Sequence, residues 1–174
     1  PTGYICPAGK DQGRPRRGPH VVDLFLSNGY TPPANMETIQ TDLAPKAVGP
    51  YSQAVRAGGF LFLSGQIALD PETGEVAGSD IETQTRRVLN NMQAVIAAAN
   101  LSLADVIKTT LFLTDLAEFP KVNAVYQSFF GNHRPARSTV QVSALPKGAR
   151  IEMDAMCVDP KNPRKRKRSP GKST

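Results

Sequence analysis

Two segments of the sequence are apolar on both sides of the strands that they are predicted to form. Residues 60–66 open with Phe-Leu-Phe-Leu, and residues 106–113 are rich in β-branched and aromatic side chains. A sheet that contains such strands has to be covered on both faces. Helices predicted elsewhere in the chain cover one face, so we expect another copy of the chain to cover the other, in a closed cyclic oligomer.

Periodic apolar side chains predict two helices. The first is expected to begin at Ser79, which has Glu82 at capping-box spacing, and to end near Asn100. The second has Pro120 in its first turn and Gly131 at its end. The apolar stripes consist of Val88, Leu89, Met92, Val95 and Ile96 in the first helix and of Val122, Val125, Tyr126 and Phe129 in the second.

Three further strands complete the predicted sheet. Residues 52–56 are expected to pair with residues 60–63 across a Gly-Gly turn. Residues 139–144 alternate apolar and polar side chains, and residues 150–158 form a last strand with the same alternation. Because the connections are short, residues 36–160 are predicted to be one α+β domain with a single sheet and both helices on one face.

The positive charge of the chain lies mainly at its ends. The formal net charge is +6, but residues 36–160 carry 10 Lys and Arg against 13 Asp and Glu. Residues 1–35 are rich in Pro and Gly, and residues 161–174 carry 7 basic and no acidic residues. Both ends are predicted to be poorly ordered extensions. The cationic run at residues 164–168 predicts either a nuclear-localisation signal or nucleic-acid tether, or simply a solvated tail.

Composition excludes several classes of protein. Apolar runs are too short for a membrane span, and we expect no signal peptide. The two cysteines, Cys6 and Cys157, do not form a secreted disulfide framework, and with His20 and His133 they lack the spacing of zinc ligands. We therefore expect a soluble protein of a reducing compartment, the cytoplasm, with mitochondrion and nucleus as alternatives.

Three polar residues are candidates for chemistry at strand ends. Arg137, directly before a predicted strand, could present its guanidinium to a carboxylate, or it could form a structural ion pair with Glu152. Ser64 ends a buried strand, where its hydroxyl needs a partner, and nearby backbone would suffice. Glu152 could orient or deprotonate a water, or it could be an exposed strand carboxylate. His133 and Cys157 have no partner at a recognisable catalytic spacing.

Several ordered motifs carry a resemblance to a known family. They are Gly49-Pro50-Tyr51-Ser52-Gln53-Ala54, Leu63-Ser64-Gly65-Gln66, Val122-Asn123-Ala124-Val125-Tyr126, Pro135-Ala136-Arg137-Ser138 and Leu145-Pro146-Lys147-Gly148-Ala149-Arg150-Ile151-Glu152. Their identity and spacing resemble the RidA family, also called YjgF/YER057c/UK114. The resemblance covers residues 36–160 and leaves both ends outside.

That resemblance implies a chorismate-mutase-like fold with one mixed sheet, assembled as a homotrimer with active sites between neighbouring subunits. It implies a 2-iminobutanoate/2-iminopropanoate deaminase, a hydrolase that converts imines released by pyridoxal-phosphate enzymes, such as threonine or serine dehydratase, to 2-keto acids and ammonia. No metal or organic cofactor, nucleic acid or membrane is implied for this reaction.

Arg137 matches the residue that binds the substrate carboxylate, and Glu152 matches the acid that holds the attacking water. Tyr51, Ser64, Gly65 and Asn123 match residues that line the cleft, and the backbone of Thr139 would face the imine.

The sequence departs from the family pattern in three places. Thr139 stands where many members have Cys, Asp154 replaces a common Glu, and the loop before Pro135 is short. This loop is expected to border the cleft, so it bears on substrate preference. Two alternative functions stay open: an endoribonuclease, translation inhibitor or tail-mediated nucleic-acid binder, and a non-catalytic trimer that binds small carboxylates.

Overall fold

The computed structural model describes residues 36–160. The predictions for residues 1–35 and 161–174, including the function of the cationic run, lie outside the described residues. Within the described part, no helix is long and apolar enough to cross a membrane.

Six strands form one mixed sheet in the order β1-β2-β3-β6-β4-β5. The strands are β1 Glu37–Ile39, β2 Ala54–Ala57, β3 Phe60–Ile67, β4 Val106–Leu113, β5 Ala136–Gln141 and β6 Ile151–Val158. β5 pairs parallel with β4, and all the other neighbours are antiparallel. The predicted hairpin is confirmed: Gly58 (φ 60°) and Gly59 (φ 85°) make the two-residue turn between β2 and β3, where both positions need a positive φ.

One strand was not predicted, and another begins earlier than predicted. β1 pairs with β2 at the sheet edge but is only three residues long, too short for a periodic signal. β5 begins at Ala136 and not at residue 139, so Arg137 lies inside the strand. The reason is a contact between distant segments. β5 pairs in parallel with β4, from Lys108 opposite Ala136 to Leu113 opposite Gln141, and this pairing imposes an extended backbone on a segment without strand alternation.

The helices are α1 Ile81–Ala98 and α2 Phe119–Phe130, with short 3₁₀ helices at Leu103–Asp105, Leu116–Glu118 and Pro146–Gly148. The predicted cap of α1 is wrong by one residue. Asp80 is the N-cap, and its carboxylate accepts a hydrogen bond from the Thr83 amide at 2.8 Å. That bond lowers the pKa of Asp80. It also pairs a backbone amide of the first helical turn, the capping role that was predicted for the Ser79 hydroxyl. α2 ends at Gly131, as predicted.

The hydrophobic core lies between the helices and one face of the sheet. On β6 the alternation is as predicted, because Ile151, Met153, Ala155 and Cys157 are buried in this core while Glu152 and Asp154 are only half-buried. Burial raises the pKa of the Cys157 thiol to about 12, so the thiol is protonated at neutral pH. Cys157 therefore serves as a small apolar side chain, in agreement with its position in the sequence.

The opposite face of the sheet carries large apolar side chains that nothing in the described chain covers. Phe60 and its cross-strand partner Val158 are 37% and 38% exposed, and Phe62 is 42% exposed. We call this surface the open face. Its composition supports the expectation that another copy covers it, and the oligomeric state itself stays a prediction.

Candidate active site

Arg137 is held against two aromatic rings at the edge of the sheet. Its register partner on β4 is Thr109, which is buried under the helices, so the Arg137 side chain lies on the helix face. The guanidinium carbon is 4.8 Å from the ring centre of Tyr126 and 5.2 Å from that of Phe119. Cation–π contact with two rings holds the guanidinium in a fixed plane while its N–H groups stay available.

The ring beneath Arg137 is itself anchored. The Tyr126 hydroxyl is 3.0 Å from the Thr109 hydroxyl, and burial raises the pKa of Tyr126. The phenol is therefore neutral at physiological pH and gives Arg137 no counter-charge. Within residues 36–160 Arg137 makes no ion pair, so the alternative of a structural pair with Glu152 is not realised.

The Arg137 side chain lines a cavity of about 310 Å³, which we call the arginine cavity. It also contains Asn123, another of the predicted site residues. Its lining consists of Asn123, Tyr126, Gln127, Phe130, His133, Arg134, Pro135 and Arg137. His133 is not a free loop histidine, because its Nε2 lies 2.6 Å from the carbonyl oxygen of Val106 and ties the loop to β4.

Glu152 lies on the open face, in a second cavity of about 560 Å³, which we call the glutamate cavity. The carboxyl group is half-buried, and burial raises its pKa, with a further contribution from the negative charge of Asp154 two residues along β6. A carboxylate with a raised pKa is a stronger base toward water. The lining consists of Pro45, Lys46, Val48, Tyr51, Gln53, Ser64, Gly65, Gln66, Ile67, Leu69, Pro146, Lys147 and Glu152.

Gly65 leaves the space that the Glu152 carboxylate occupies. A β-carbon built on Gly65 would lie 1.9 Å from Oε1 of Glu152 and 2.8 Å from its carboxyl carbon. The pairing of β3 with β6 shifts register between Leu63 and Gln66, so Gly65 lies in the irregular stretch, two residues before Ile67, the register partner of Glu152. The carboxylate therefore rests directly on the backbone of β3, an approach that any side chain at residue 65 would block.

Ser64 and Tyr51 line the same cavity but differ in exposure. The Ser64 hydroxyl donates to the Ser52 carbonyl at 2.6 Å, the backbone partner that the sequence left open as an alternative. Tyr51 is half-exposed, and its hydroxyl accepts a hydrogen bond from the Val48 amide at 3.3 Å. Tyr51 is thus free to contact a ligand or a neighbouring chain.

Gln53 organises the wall of the glutamate cavity, a role that the sequence did not reveal. Its buried amide group donates to the carbonyls of Thr41, Ala44 and Pro45 and accepts from the Thr41 amide at 2.7 Å. These bonds fix residues 41–45, of which Pro45 lines the cavity. The only signal was its place in the motif around Tyr51, since a glutamine next to a predicted strand has no pattern of its own.

The predicted site residues fall into two groups on opposite faces of the sheet. Arg137 and Asn123 line the arginine cavity, whereas Tyr51, Ser64, Gly65 and Glu152 line the glutamate cavity. Thr139 lies on β5 and lines neither of these cavities. One small molecule cannot contact both Arg137 and Glu152 of the same chain, because β4 lies between β5 and β6 and the two side chains point to opposite faces.

The described residues contain no cluster of three or more His, Cys, Asp or Glu side chains that could hold a metal ion. The two cavities supply a guanidinium that can bind anions and a carboxylate that can accept protons.

Comparison with known proteins identifies relatives that share nearly the whole described domain. The model of the family described as endoribonuclease L-PSP matches residues 41–158. A RutC family protein of Pyrococcus horikoshii is 53% identical over 120 residues, which are 69% of this chain and 95% of that protein. The 2-iminobutanoate/2-iminopropanoate deaminase of Salmonella typhimurium is 47% identical over 125 residues, 70% of this chain and 97% of the deaminase. The crystal structure of E. coli TdcF with bound serine superposes with a TM-score of 0.67 at 46% identity, covering 70% of this chain and 98% of TdcF.

Proposed function

This chain belongs to the endoribonuclease L-PSP family, which includes the RidA proteins, and on that basis we propose that it hydrolyses reactive 2-imino acids to 2-oxo acids and ammonia. The observation that carries the proposal is Arg137, stacked on Tyr126 and Phe119 with no carboxylate partner among the described residues. A guanidinium held in this way is suited to a small carboxylate. A relative named for this reaction matches almost over its full length.

The active site is completed between copies in a closed ring of three. A glutamate cavity of one copy faces the arginine cavity of the next, so that one substrate contacts Arg137 from one chain and Glu152 from its neighbour. The separation of these residues onto opposite faces supports this arrangement. The exposed apolar side chains of the open face, Phe60 and Phe62 among them, give the ring a surface to bury.

The reaction needs orientation and proton transfer more than a cofactor, because the imine carbon is already electrophilic. Arg137 binds the C1 carboxylate. Glu152 accepts a proton from water as the water oxygen bonds to C2, and the electron pair of the C=N bond moves to nitrogen, which takes up a proton. The tetrahedral amino alcohol then expels ammonia: the hydroxyl proton is transferred to the amino nitrogen, the C–N bond breaks with its electron pair on nitrogen, and the C=O bond forms. One water is consumed for each ammonia released.

The substrates proposed on this basis are 2-iminopropanoate and 2-iminobutanoate, the acids in the name of the Salmonella relative. The ribonuclease activity in the family description receives less support from the described domain. Residues 36–160 carry three more acidic than basic residues, which disfavours binding to a phosphate backbone.

The test is an assay with freshly generated 2-iminobutanoate, in which 2-oxobutanoate and ammonia are measured against the uncatalysed rate. The protein is expected to accelerate release of both products in equal amounts. A rate equal to that of buffer, with protein shown to be folded by circular dichroism, would overturn the proposal and favour a non-catalytic carboxylate binder.

A further inference from the structure

The loop between α2 and β5 brings a second guanidinium to the arginine cavity. Arg134 lines this cavity together with Arg137, three residues along the chain. Its Nη1 donates to the carbonyl of Gly131 and to that of His133, the latter at 2.9 Å. The His133 ring is hydrogen-bonded to the Val106 carbonyl of β4, so the backbone next to Arg134 is fixed at the edge of the sheet.

Arg134 retains donors for a ligand. A guanidinium has five N–H donors, and within residues 36–160 only those on Nη1 of Arg134 have hydrogen-bond acceptors. It makes no ion pair with any described residue. Arg134 is exposed and lines the cavity, so its remaining donors are accessible to a ligand.

The charge of the arginine cavity is unbalanced. Within one chain its lining contains two guanidinium groups and no carboxylate, and in the proposed ring Glu152 of the neighbouring copy adds one negative charge against these two positive charges. The same lining contains two aromatic rings, since Phe130 stacks on Tyr126 with ring centres 4.4 Å apart. A ligand that fits this lining has two carboxylates joined by a short hydrocarbon segment, and the cavity of about 310 Å³ is of the size that holds a small metabolite.

We propose that the site favours 2-imino dicarboxylic acids, such as 2-iminosuccinate and 2-iminoglutarate, over 2-imino acids with a neutral side chain. Arg137 binds the C1 carboxylate as in the proposed function, on which this inference rests, and Arg134 binds the carboxylate of the substrate side chain. The short loop before Pro135 limits the position of Arg134, because only Arg134 and Pro135 separate His133, which is bonded to β4, from the start of β5 at Ala136.

The experiment compares 2-iminoglutarate with 2-iminopentanoate, which has the same five-carbon chain without the second carboxylate. Both are generated from the amino acids by an amino-acid oxidase, and kcat/KM is measured for the wild type, Arg134→Gln and the control Arg86→Gln, an exposed arginine of α1. The wild type is expected to prefer 2-iminoglutarate. Arg134→Gln should lower the ratio of the two kcat/KM values by about tenfold, the effect of losing one charge-assisted hydrogen bond, and Arg86→Gln should leave it unchanged.

A binding measurement separates this inference from the proposed function. Calorimetry with the stable keto acids 2-oxoglutarate and 2-oxopentanoate should show tighter binding of 2-oxoglutarate to the wild type and a similar tenfold loss in Arg134→Gln. If neither imine is hydrolysed while this difference in binding persists, the proposed function fails and dicarboxylate recognition stands. If both imines are hydrolysed with equal efficiency and both keto acids bind equally, the role of Arg134 is overturned and the deaminase stands.

Discussion

Replacement of Arg137 by Ala is expected to lower kcat/KM for 2-iminobutanoate by about 10²- to 10³-fold. The side chain supplies the positive charge that binds the C1 carboxylate, and its stacking on Tyr126 and Phe119 fixes the angle at which the imine carbon faces water. Both contributions disappear together in the variant. The measurement is release of 2-oxobutanoate at substrate concentrations below KM.

Arg137→Lys distinguishes charge from geometry. Lysine keeps the charge but has no planar fork and no comparable stacking, so we expect kcat/KM between those of the wild type and Arg137→Ala. Arg86→Ala, an exposed change on α1, should retain full activity. Activity of Arg137→Ala within twofold of the wild type would contradict the assignment of the substrate carboxylate to this residue.

Replacement of Gly65 by Ala is expected to lower kcat by about a hundredfold through displacement of Glu152. The new methyl carbon would lie only 1.9 Å from Oε1 of Glu152, so the carboxylate would have to rotate away. The backbone at Gly65 has no positive φ, and the atom displaced is the end of a flexible side chain. The melting temperature should therefore change by less than about 4 °C, which corresponds to roughly 1 kcal/mol.

A double-variant comparison tests whether Gly65 acts through Glu152. Glu152→Gln alone removes the base and should be nearly inactive. If Gly65 has only a positioning role, Gly65→Ala should reduce the residual activity of Glu152→Gln by less than about twofold, because residues that act as one unit are not additive. A full hundredfold loss in both backgrounds would show that the methyl group disturbs something other than the carboxylate.

Several strand and helix bounds could be predicted from local sequence, because the local secondary-structure preference and the tertiary packing agree there. The bounds of β4, Val106–Leu113, coincide with a run of β-branched and aromatic residues, and α2 ends at the glycine that terminates its apolar stripe. The start of β5 could not be predicted in the same way. Ala136 and Arg137 are extended because β4 pairs with them, and pairing between distant segments leaves no local pattern.

For the candidate site, the resemblance supplied residue identities but not their distribution between two faces. That distribution depends on register: Arg137 pairs with Thr109, which faces the helices, whereas Glu152 pairs with Phe112, whose side chain faces the other way. Only alignment of β5, β4 and β6 in one sheet establishes this difference. Arg134 was overlooked for a similar reason, because its proximity to the cavity depends on the anchoring of His133 to β4.

The measurement that tests the account most directly mixes two inactive variants. Arg137→Ala and Glu152→Gln chains, each nearly inactive alone, are dissociated together in equal amounts and reassembled. A site is intact when a Glu152→Gln chain supplies its unchanged Arg137 and the neighbouring Arg137→Ala chain supplies its unchanged Glu152. Random assembly of a ring makes about one quarter of the sites intact, so about one quarter of the wild-type rate of 2-iminobutanoate hydrolysis is expected to return.

A matched control uses the chain that carries both substitutions, reassembled with either single variant, in which no intact site can form. Its rate should stay at the level of the separate variants. Recovery of about one quarter of the activity in the mixture of single variants alone would establish a hydrolytic site built from Arg137 of one copy and Glu152 of the next. A mixture no more active than its separate components, although reassembly of wild-type chains restores full activity, would contradict the shared site.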